Sequence, residues 1–319
     1  MPSAPFRRNI SSGYAFLSQD STAPESYAMR PTSLQRYLIL FLIATALNAC
    51  DPKGDDGIPA YIHIEEIGLT TEPGQGTASH KITDAWVYID MKLIGVFELP
   101  ATFPVLQQGD QEVTIYAGIK INGIAATRSA YPFFTPIIVD VNLTPGVVDT
   151  ISNAVVSYDP ETTFSWMEDF DGALSIDTTS NSETNLVRIS DPDLIFSFDN
   201  EPNDYSAMAS VSGDTLLFEC ATIQSLEFPE GGKPVFLEMN YKNNHNLTVG
   251  LTMVSSGQTV QQALLVLNPS ETWNKIYINL TPTISYFYNA TDFRIFIGLL
   301  RTPETETATI YFDNLKLVY

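Results

Sequence analysis

The sequence predicts an all-β fold made of two β-sandwich domains, and three observations support this prediction. Short runs alternate between apolar and polar side chains and are rich in β-branched and aromatic residues, as strands are. Gly, Pro, Asn and Asp separate these runs, where the chain must turn. Beyond residue 50 no segment shows the apolar period of an amphipathic helix.

The composition limits the kinds of partner. The chain has 319 residues with 16 Lys+Arg against 37 Asp+Glu, a formal charge of −21, and 44% of its residues are hydrophobic. This hydrophobic content is sufficient for a folded core. This charge balance argues against nucleic acid as a partner, because phosphate binding needs clustered Lys and Arg. Three His and two Cys are too few for most metal or thiol chemistry.

A short apolar segment ends at a cysteine near the start of the chain. Residues 37–49 read YLILFLIATALNA, after Arg30 and Arg36. The segment is shorter than the roughly 20 apolar residues of a spanning helix, and its order of basic, apolar and small residues is that of a secretory signal. Leu-Asn-Ala-Cys at 47–50 resembles the lipobox of bacterial lipoproteins. The resemblance implies cleavage before Cys50 and an acyl lipid on Cys50; the alternative is a chance cysteine after a core helix.

Residues 1–49 are therefore predicted to be a signal region that does not belong to the fold. Met29 gives a normal signal length, and we expect it to be the true start. Residues 50–57, with the sequence CDPKGDDG, predict a lipidated tether. This acidic stretch resembles the export signal of Bacteroidetes-type lipoproteins, which implies an outer-membrane protein that faces the cell exterior.

The first predicted sandwich spans residues 58–157. The segment 86–95, WVYIDMKLIG, predicts a hairpin that turns near Met91 and Lys92. This region resembles small surface β-modules of the PEGA type, and an immunoglobulin-like sandwich is the alternative. The predicted strands are Tyr61–Leu69, Ala85–Asp90, Leu93–Glu98, Gln111–Ile121, Ile137–Leu143 and Thr150–Tyr158.

The second predicted domain spans residues 158–319. In its last strand, Thr309–Tyr319, the apolar phase switches at Asp313 and Asn314, which predicts a bulge. The segments Trp166–Asp171 and Ile310–Leu317 resemble the first and last strands of jelly-roll carbohydrate-binding modules of the galactose-binding-like type. The other predicted strands are Val235–Tyr241, Leu247–Met253, the alternating runs 275–280 and 293–299, and 217–221, which contains Cys220 as a buried, inert thiol.

The jelly-roll resemblance implies a structural calcium ion where the first strand meets the last. The matching positions are Glu168, Asp169 and Asp313. Calcium prefers several oxygen ligands, which carboxylates supply. The alternative is that these acids are solvated or form turns.

Glycan binding needs exposed aromatic faces with polar neighbours. The aromatic residues nearest to predicted loops or sheet faces are Tyr241, Trp273, Tyr286 and Tyr288, and Asn243 and His245 could supply hydrogen bonds. The alternative is that these aromatic residues fill the sandwich core.

The predicted function is therefore a non-enzymatic cell-envelope lipoprotein that binds glycan through its jelly roll. The chain has no HExxH, GxSxG or phosphate-loop motif. One alternative is an accessory lipoprotein that binds a protein partner in an outer-membrane complex. The other is a glycoside-active enzyme, whose two carboxylates come from distant strands and leave no motif.

Overall fold

The computed structural model describes residues 57–199 and 203–319, and it confirms the all-β prediction. Residues Gly57–Tyr319 form one compact unit. The predicted signal region, Cys50 and tether residues 51–56 lie outside the described residues. The predicted domain boundaries stay a prediction.

The N-terminal module, here residues 57–158, contains three small sheets. Their strand orders are β5-β1-β9, β10-β2 and β4-β3-β6-β7, with β8 paired to β6. Because apolar side chains alternate along these strands, each sheet turns one face toward a common core. The strands are β1 (Ala60–Ile64), β2 (Gly68–Thr70), β3 (Asp84–Ile89), β4 (Lys92–Glu98), β5 (Ala101–Val105), β6 (Gly109–Lys120), β7 (Arg128–Ala130), β8 (Ile137–Leu143), β9 (Val148–Thr150) and β10 (Val155–Ser157).

The predicted hairpin is confirmed to within one residue. Strands β3 and β4 pair antiparallel, and Asp90 and Met91 connect them with φ values of 50° and 60°. Two successive left-handed residues match the right-handed twist of the flanking strands in a tight turn.

One predicted strand is divided into two. The run Tyr61–Leu69 forms β1, which pairs with β5 and β9, and β2, which pairs with β10. The exposed residues Glu65 and Glu66 lie between them. The chain passes from one sheet to another at this point. The alternation of apolar and polar residues within one segment does not reveal such a change of sheet.

The jelly roll follows as two facing antiparallel sheets. Sheet I has the order β13-β14-β21-β16-β19, with β11 paired to β21, and sheet II has the order β12-β15-β20-β17-β18. Their strands are β11 (Phe164–Glu168), β12 (Ile176–Thr178), β13 (Val187–Ile189), β14 (Ser206–Ser212), β15 (Leu217–Thr222), β16 (Phe236–Asn243), β17 (Leu247–Ser255), β18 (Gln258–Leu267), β19 (Ser270–Asn279), β20 (Thr291–Leu300) and β21 (Thr307–Val318).

The bulge predicted in the last strand is present. Phe312 and Leu315 both face the jelly-roll core, and Asn314 between them has φ 48°. The register of β21 against β16 shifts at this level, between Glu238 and Asn240. The extra residue reverses the alternation of the strand, so that apolar side chains before and after the bulge both point into the jelly-roll core.

A short helix was not predicted from the sequence. Helix α1 (Thr281–Tyr286) has six residues and contains no buried side chain. It is too short for an apolar period to be visible. In the part of the chain that the structure describes, no helix has the length and apolar character to span a bilayer.

The N-terminal module packs on the outer face of sheet I. Phe236 on β16, Tyr277 on β19 and Val318 on β21 belong to the core of the N-terminal module, not to the jelly-roll core. The Tyr131 ring lies 5.4 Å from Phe236 and 4.9 Å from Tyr277. This part of sheet I is therefore closed to any ligand.

Candidate functional site

A cleft lies at one end of the jelly roll, beside β11. Its volume is about 540 Å³, within the range of small-molecule sites. Trp166 and Tyr319 supply its aromatic surface, and we call it the Trp166 cleft. Its polar lining consists of Thr163, Ser165, Ser175, Thr222, Gln224, Ser225 and Glu227, and Leu174, Ile223 and Leu226 complete it.

The Trp166 indole is held by a chain of hydrogen bonds. Its Nε1–H donates to Ser175 Oγ at 2.8 Å, and that hydroxyl donates to Glu168 Oε2 at 2.6 Å. Glu168 is buried and also accepts the backbone N–H of Phe170 at 2.9 Å. Because every link is fixed by the next, the half-buried ring presents a rigid surface to the cleft.

Thr222 contributes an unused hydroxyl to the cleft wall. The residue is only 2% exposed, and its Oγ1 has no hydrogen-bond partner within residues 57–199 and 203–319. An unsatisfied buried polar group costs about 1–3 kcal/mol. A ligand hydroxyl that reached Thr222 Oγ1 would recover part of this cost.

The lining of the Trp166 cleft is nearly uncharged. Among its described lining residues, Glu227 is the one charged side chain. Hydroxyl and amide groups beside an aromatic ring suit an uncharged ligand with both a polar and an apolar face.

Two of the predicted glycan residues are buried and form hydrogen bonds within the protein. Tyr241 is buried in the jelly-roll core, and its hydroxyl accepts a hydrogen bond from Asn274 Nδ2 at 3.0 Å. Burial raises the pKa of Tyr241. Asn243 is buried, donates to the His245 carbonyl at 2.6 Å and accepts the backbone N–H of Ser270 at 3.1 Å.

Trp273 belongs to an aromatic cluster on the uncovered part of sheet I. Its ring lies 5.4 Å from Phe196 and 6.4 Å from Tyr311, with interplanar angles of 79° and 61°. Lys242 Nζ lies 5.4 Å from the Tyr311 ring centre. These rings are not coplanar, and a cation already occupies one face of Tyr311.

A shallower pocket of about 390 Å³, the Tyr311 pocket, adjoins this cluster. Its lining residues are Lys242, Asn243, Asn244, Pro269, Ser270, Glu271, Thr309 and Tyr311. The structure thus brings Asn243 and Trp273 near one pocket. His245 lies beside Thr302, whose backbone N–H is 3.4 Å from His245 Nε2.

Tyr286 and Tyr288 lie elsewhere. They are 79% and 78% exposed and stand at the end of α1, beyond the last residue of β19. Trp273 lies near the first residue of the same strand, so the tyrosines and the tryptophan cannot contact one small ligand. The six predicted glycan residues do not form a single site.

The three predicted calcium ligands have hydrogen-bond partners. Glu168 supports the Trp166 cleft, and exposed Asp169 accepts the backbone N–H of Asp171 at 3.1 Å. Asp313 is fully buried and accepts hydrogen bonds from Ser206 Oγ and from Asn203 Nδ2, the latter at 3.0 Å.

Burial raises the pKa of Asp313 to about 7. No group of three or more His, Cys, Asp or Glu side chains in the described ranges is arranged to hold a metal ion. The calcium site stays a prediction.

The Trp166 cleft was missed from the sequence. In the sequence, Trp166 is visible only as part of a segment that resembles the first strand of a jelly-roll module. Its neighbours Ser175, Thr222 and Tyr319 come from distant segments, and no spacing marks them as a group.

The fold and this cleft define an all-β protein with a jelly roll that carries a solvent-open polar cleft. Solved structures similar to the chain include carbohydrate-binding modules. A family 11 module from Clostridium thermocellum, solved with a β-1,3-1,4-mixed-linked tetrasaccharide, is 14% identical and covers 47% of this chain and 92% of its own, with a TM-score of 0.32. A family 30 module from the same organism is 11% identical and covers 50% of this chain and 94% of its own, with a TM-score of 0.31.

A third similar structure is the K3 cleaved adhesin domain of Lys-gingipain from Porphyromonas gingivalis. It is 12% identical and covers 49% of this chain and 98% of its own, with a TM-score of 0.33. No protein-family model and no curated protein matches the chain.

Proposed function

We propose that this protein is a lipid-anchored cell-envelope protein that binds an uncharged glycan in the Trp166 cleft. The observation that carries the proposal is the pairing of a rigid, half-buried indole with a wall of hydroxyl and amide groups. Sugar rings have apolar C–H faces and hydroxyl edges, so they match both parts of this lining. The free hydroxyl of Thr222 adds a hydrogen-bonding group that water or a ligand must satisfy.

The charge of the cleft favours binding over hydrolysis. Glycoside hydrolysis generally uses two carboxyl groups about 5–10 Å apart on either side of the bond. Among the described side chains that line the cleft, Glu227 alone carries a carboxyl group. We therefore propose a non-enzymatic role.

The anchor and the location rest on the sequence around Cys50. The apolar segment, the lipobox-like residues 47–50 and the acidic tether support lipidation and an outward-facing position. On this proposal the N-terminal module stands between the tether and the jelly roll in the chain.

The proposal is tested on a glycan array, followed by calorimetric titration of any glycan that binds. The full chain in detergent is compared with Trp166→Ala and Trp273→Ala, which remove the same side chain at two different places. We expect Trp166→Ala to lower the affinity about tenfold or more, as loss of a central aromatic contact does, and Trp273→Ala to leave it unchanged. Thermal melting of both variants shows that each is folded.

Thr222→Val provides a finer test because it replaces the hydroxyl with a methyl group of similar size. We expect weaker glycan binding together with an equal or higher melting temperature, because Val removes a buried hydroxyl that has no partner among the described residues. If Trp273→Ala lost binding and Trp166→Ala kept it, the result would contradict the Trp166 cleft as the site and indicate the Tyr311 pocket. Absence of binding to every glycan would refute the proposed function.

A further inference from the structure

A small second pocket lies where the N-terminal module meets sheet I. Its volume is about 90 Å³, which corresponds to about three water molecules at about 30 Å³ each. Gly123 and Thr83 line it from the N-terminal module, and Asn274 and Tyr277 line it from β19. The pocket is too small for a sugar ring, so it would bind a different and smaller class of ligand than the Trp166 cleft.

Three lysines converge on this junction pocket. Lys81 and Lys120 come from the N-terminal module and Lys275 from β19. None of the lining residues within 57–199 and 203–319 is acidic. The lining is therefore positively charged, whereas the whole chain, with 37 acidic and 16 basic residues, is negatively charged.

The convergence has an electrostatic cost. Burial lowers the pKa of Lys81, and the positive charge of Lys120 lowers it further. Lys120 Nζ pairs with Glu98 Oε1 at 3.0 Å, whereas Lys81 Nζ donates to the neutral Asn274 Oδ1 at 2.5 Å. No carboxylate of the described ranges is within ion-pair distance of Lys81 Nζ.

Lys275 provides the second, independent observation. Its side chain is only 2% exposed, and its Nζ lies 2.9 Å from Glu238 Oε2. This distance is that of an ion pair with a single carboxylate oxygen. An ammonium group carries three donors, so donors remain on Lys275 Nζ beyond its contact with Glu238.

We propose that the junction pocket binds a small oxyanion, of the size of phosphate or acetate. Its oxygens would accept hydrogen bonds from Lys81 and Lys275, and its charge would offset the repulsion between the lysines. Exposed Lys81 and buried Lys275 both line the pocket. Because its lining comes from both the N-terminal module and the jelly roll, the bound anion would bridge them.

The test measures the melting temperature of the full chain against increasing inorganic phosphate or sodium acetate, with sodium chloride at matched ionic strength as reference. The variant is Lys81→Gln, and the matched control is Lys92→Gln, which removes the same charge from the exposed end of the β3–β4 hairpin. At ten times the dissociation constant, binding favours the folded state about 11-fold. For a unit of this size that raises the melting temperature by about 3 °C.

We expect a rise that saturates with at least one of the two anions, persists in Lys92→Gln and is lost in Lys81→Gln. Phosphate also stabilises proteins by exclusion from their surface, but this effect does not saturate and would be equal in both variants. An equal rise in both variants, or no saturable rise with either anion, would overturn the proposal.

Discussion

Replacing Glu238 by Gln should destabilise the protein more than a single polar substitution usually does. Glu238 is fully buried under the N-terminal module. Its carboxylate lies 2.9 Å from Lys275 Nζ and accepts hydrogen bonds of 2.9 Å from the hydroxyl groups of Tyr131 and Tyr158. Gln keeps the size and one acceptor oxygen but removes the negative charge that faces Lys275.

The expected loss of unfolding free energy in Glu238→Gln follows from the burial of both charges of the ion pair. Removing one partner of a buried ion pair costs about 3–5 kcal/mol because the other charge stays buried without compensation. Typical folding free energies are about 5–15 kcal/mol, so the loss is a large fraction of the total. With an m-value of about 2–3 kcal/mol/M, the urea midpoint should fall by about 1–2 M.

The assay is urea unfolding at pH 7, followed by tryptophan fluorescence, on a double-mutant cycle of Glu238→Gln, Lys275→Met and both together. We expect the double variant to lose less stability than the sum of the single variants, because it leaves neither charge unpaired. The control is Glu112→Gln on the exposed face of β6, for which we expect a change below about 0.5 kcal/mol. Additive single variants, or a loss below about 1 kcal/mol for Glu238→Gln, would refute the reasoning.

The same pair predicts acid sensitivity. Burial alone would raise the pKa of Glu238, but Lys275, Lys316 and the hydrogen bonds to its carboxylate lower the pKa below the ordinary value of 4.5. A lowered folded-state pKa gives stability that is present above the unfolded pKa and is lost as pH falls through the folded pKa. The stability of the wild type should therefore decline below about pH 4.5, whereas this component is absent in Glu238→Gln.

Two further predictions concern the anchor and calcium. Cys50→Ser should move the protein from the membrane fraction to the soluble fraction, because it removes the predicted site of acylation; retention in the membrane would contradict the anchor. If Glu168, Asp169 and Asp313 bind calcium, added Ca²⁺ should raise the melting temperature of the wild type but not of Asp313→Asn. A wild-type melting temperature that a chelator leaves unchanged would contradict the calcium site.

Local features of the fold were predictable from the sequence. Strand β8 was predicted with its observed bounds, Ile137–Leu143, because its alternation is regular and turn residues flank it. The bulge at Asp313 and Asn314 was visible because the phase switch lies within a single strand. Cys220 is a free, buried cysteine, as predicted from its apolar strand.

Features that depend on distant segments were not predictable. Tyr131 and Glu238 are 107 residues apart, and their hydrogen bond depends on how the N-terminal module packs on sheet I. The alternation along β16 correctly placed Glu238 on the other face of the strand from Leu237 and Met239. It could not show that the face that carries Glu238 is buried as well. The Trp166 cleft likewise depends on contacts between residues near 166, 222 and 319.

The position of β21 in sheet I has a consequence for the order of folding. This strand forms hydrogen bonds with β11, β14 and β16, yet it follows all three of them in the chain. Until residues 307–318 are available, β14 and β16 have no common neighbour and the two halves of sheet I cannot join. The jelly roll can therefore close only after residues 307–318 have been synthesised. Contacts between segments so distant in sequence also favour slow folding.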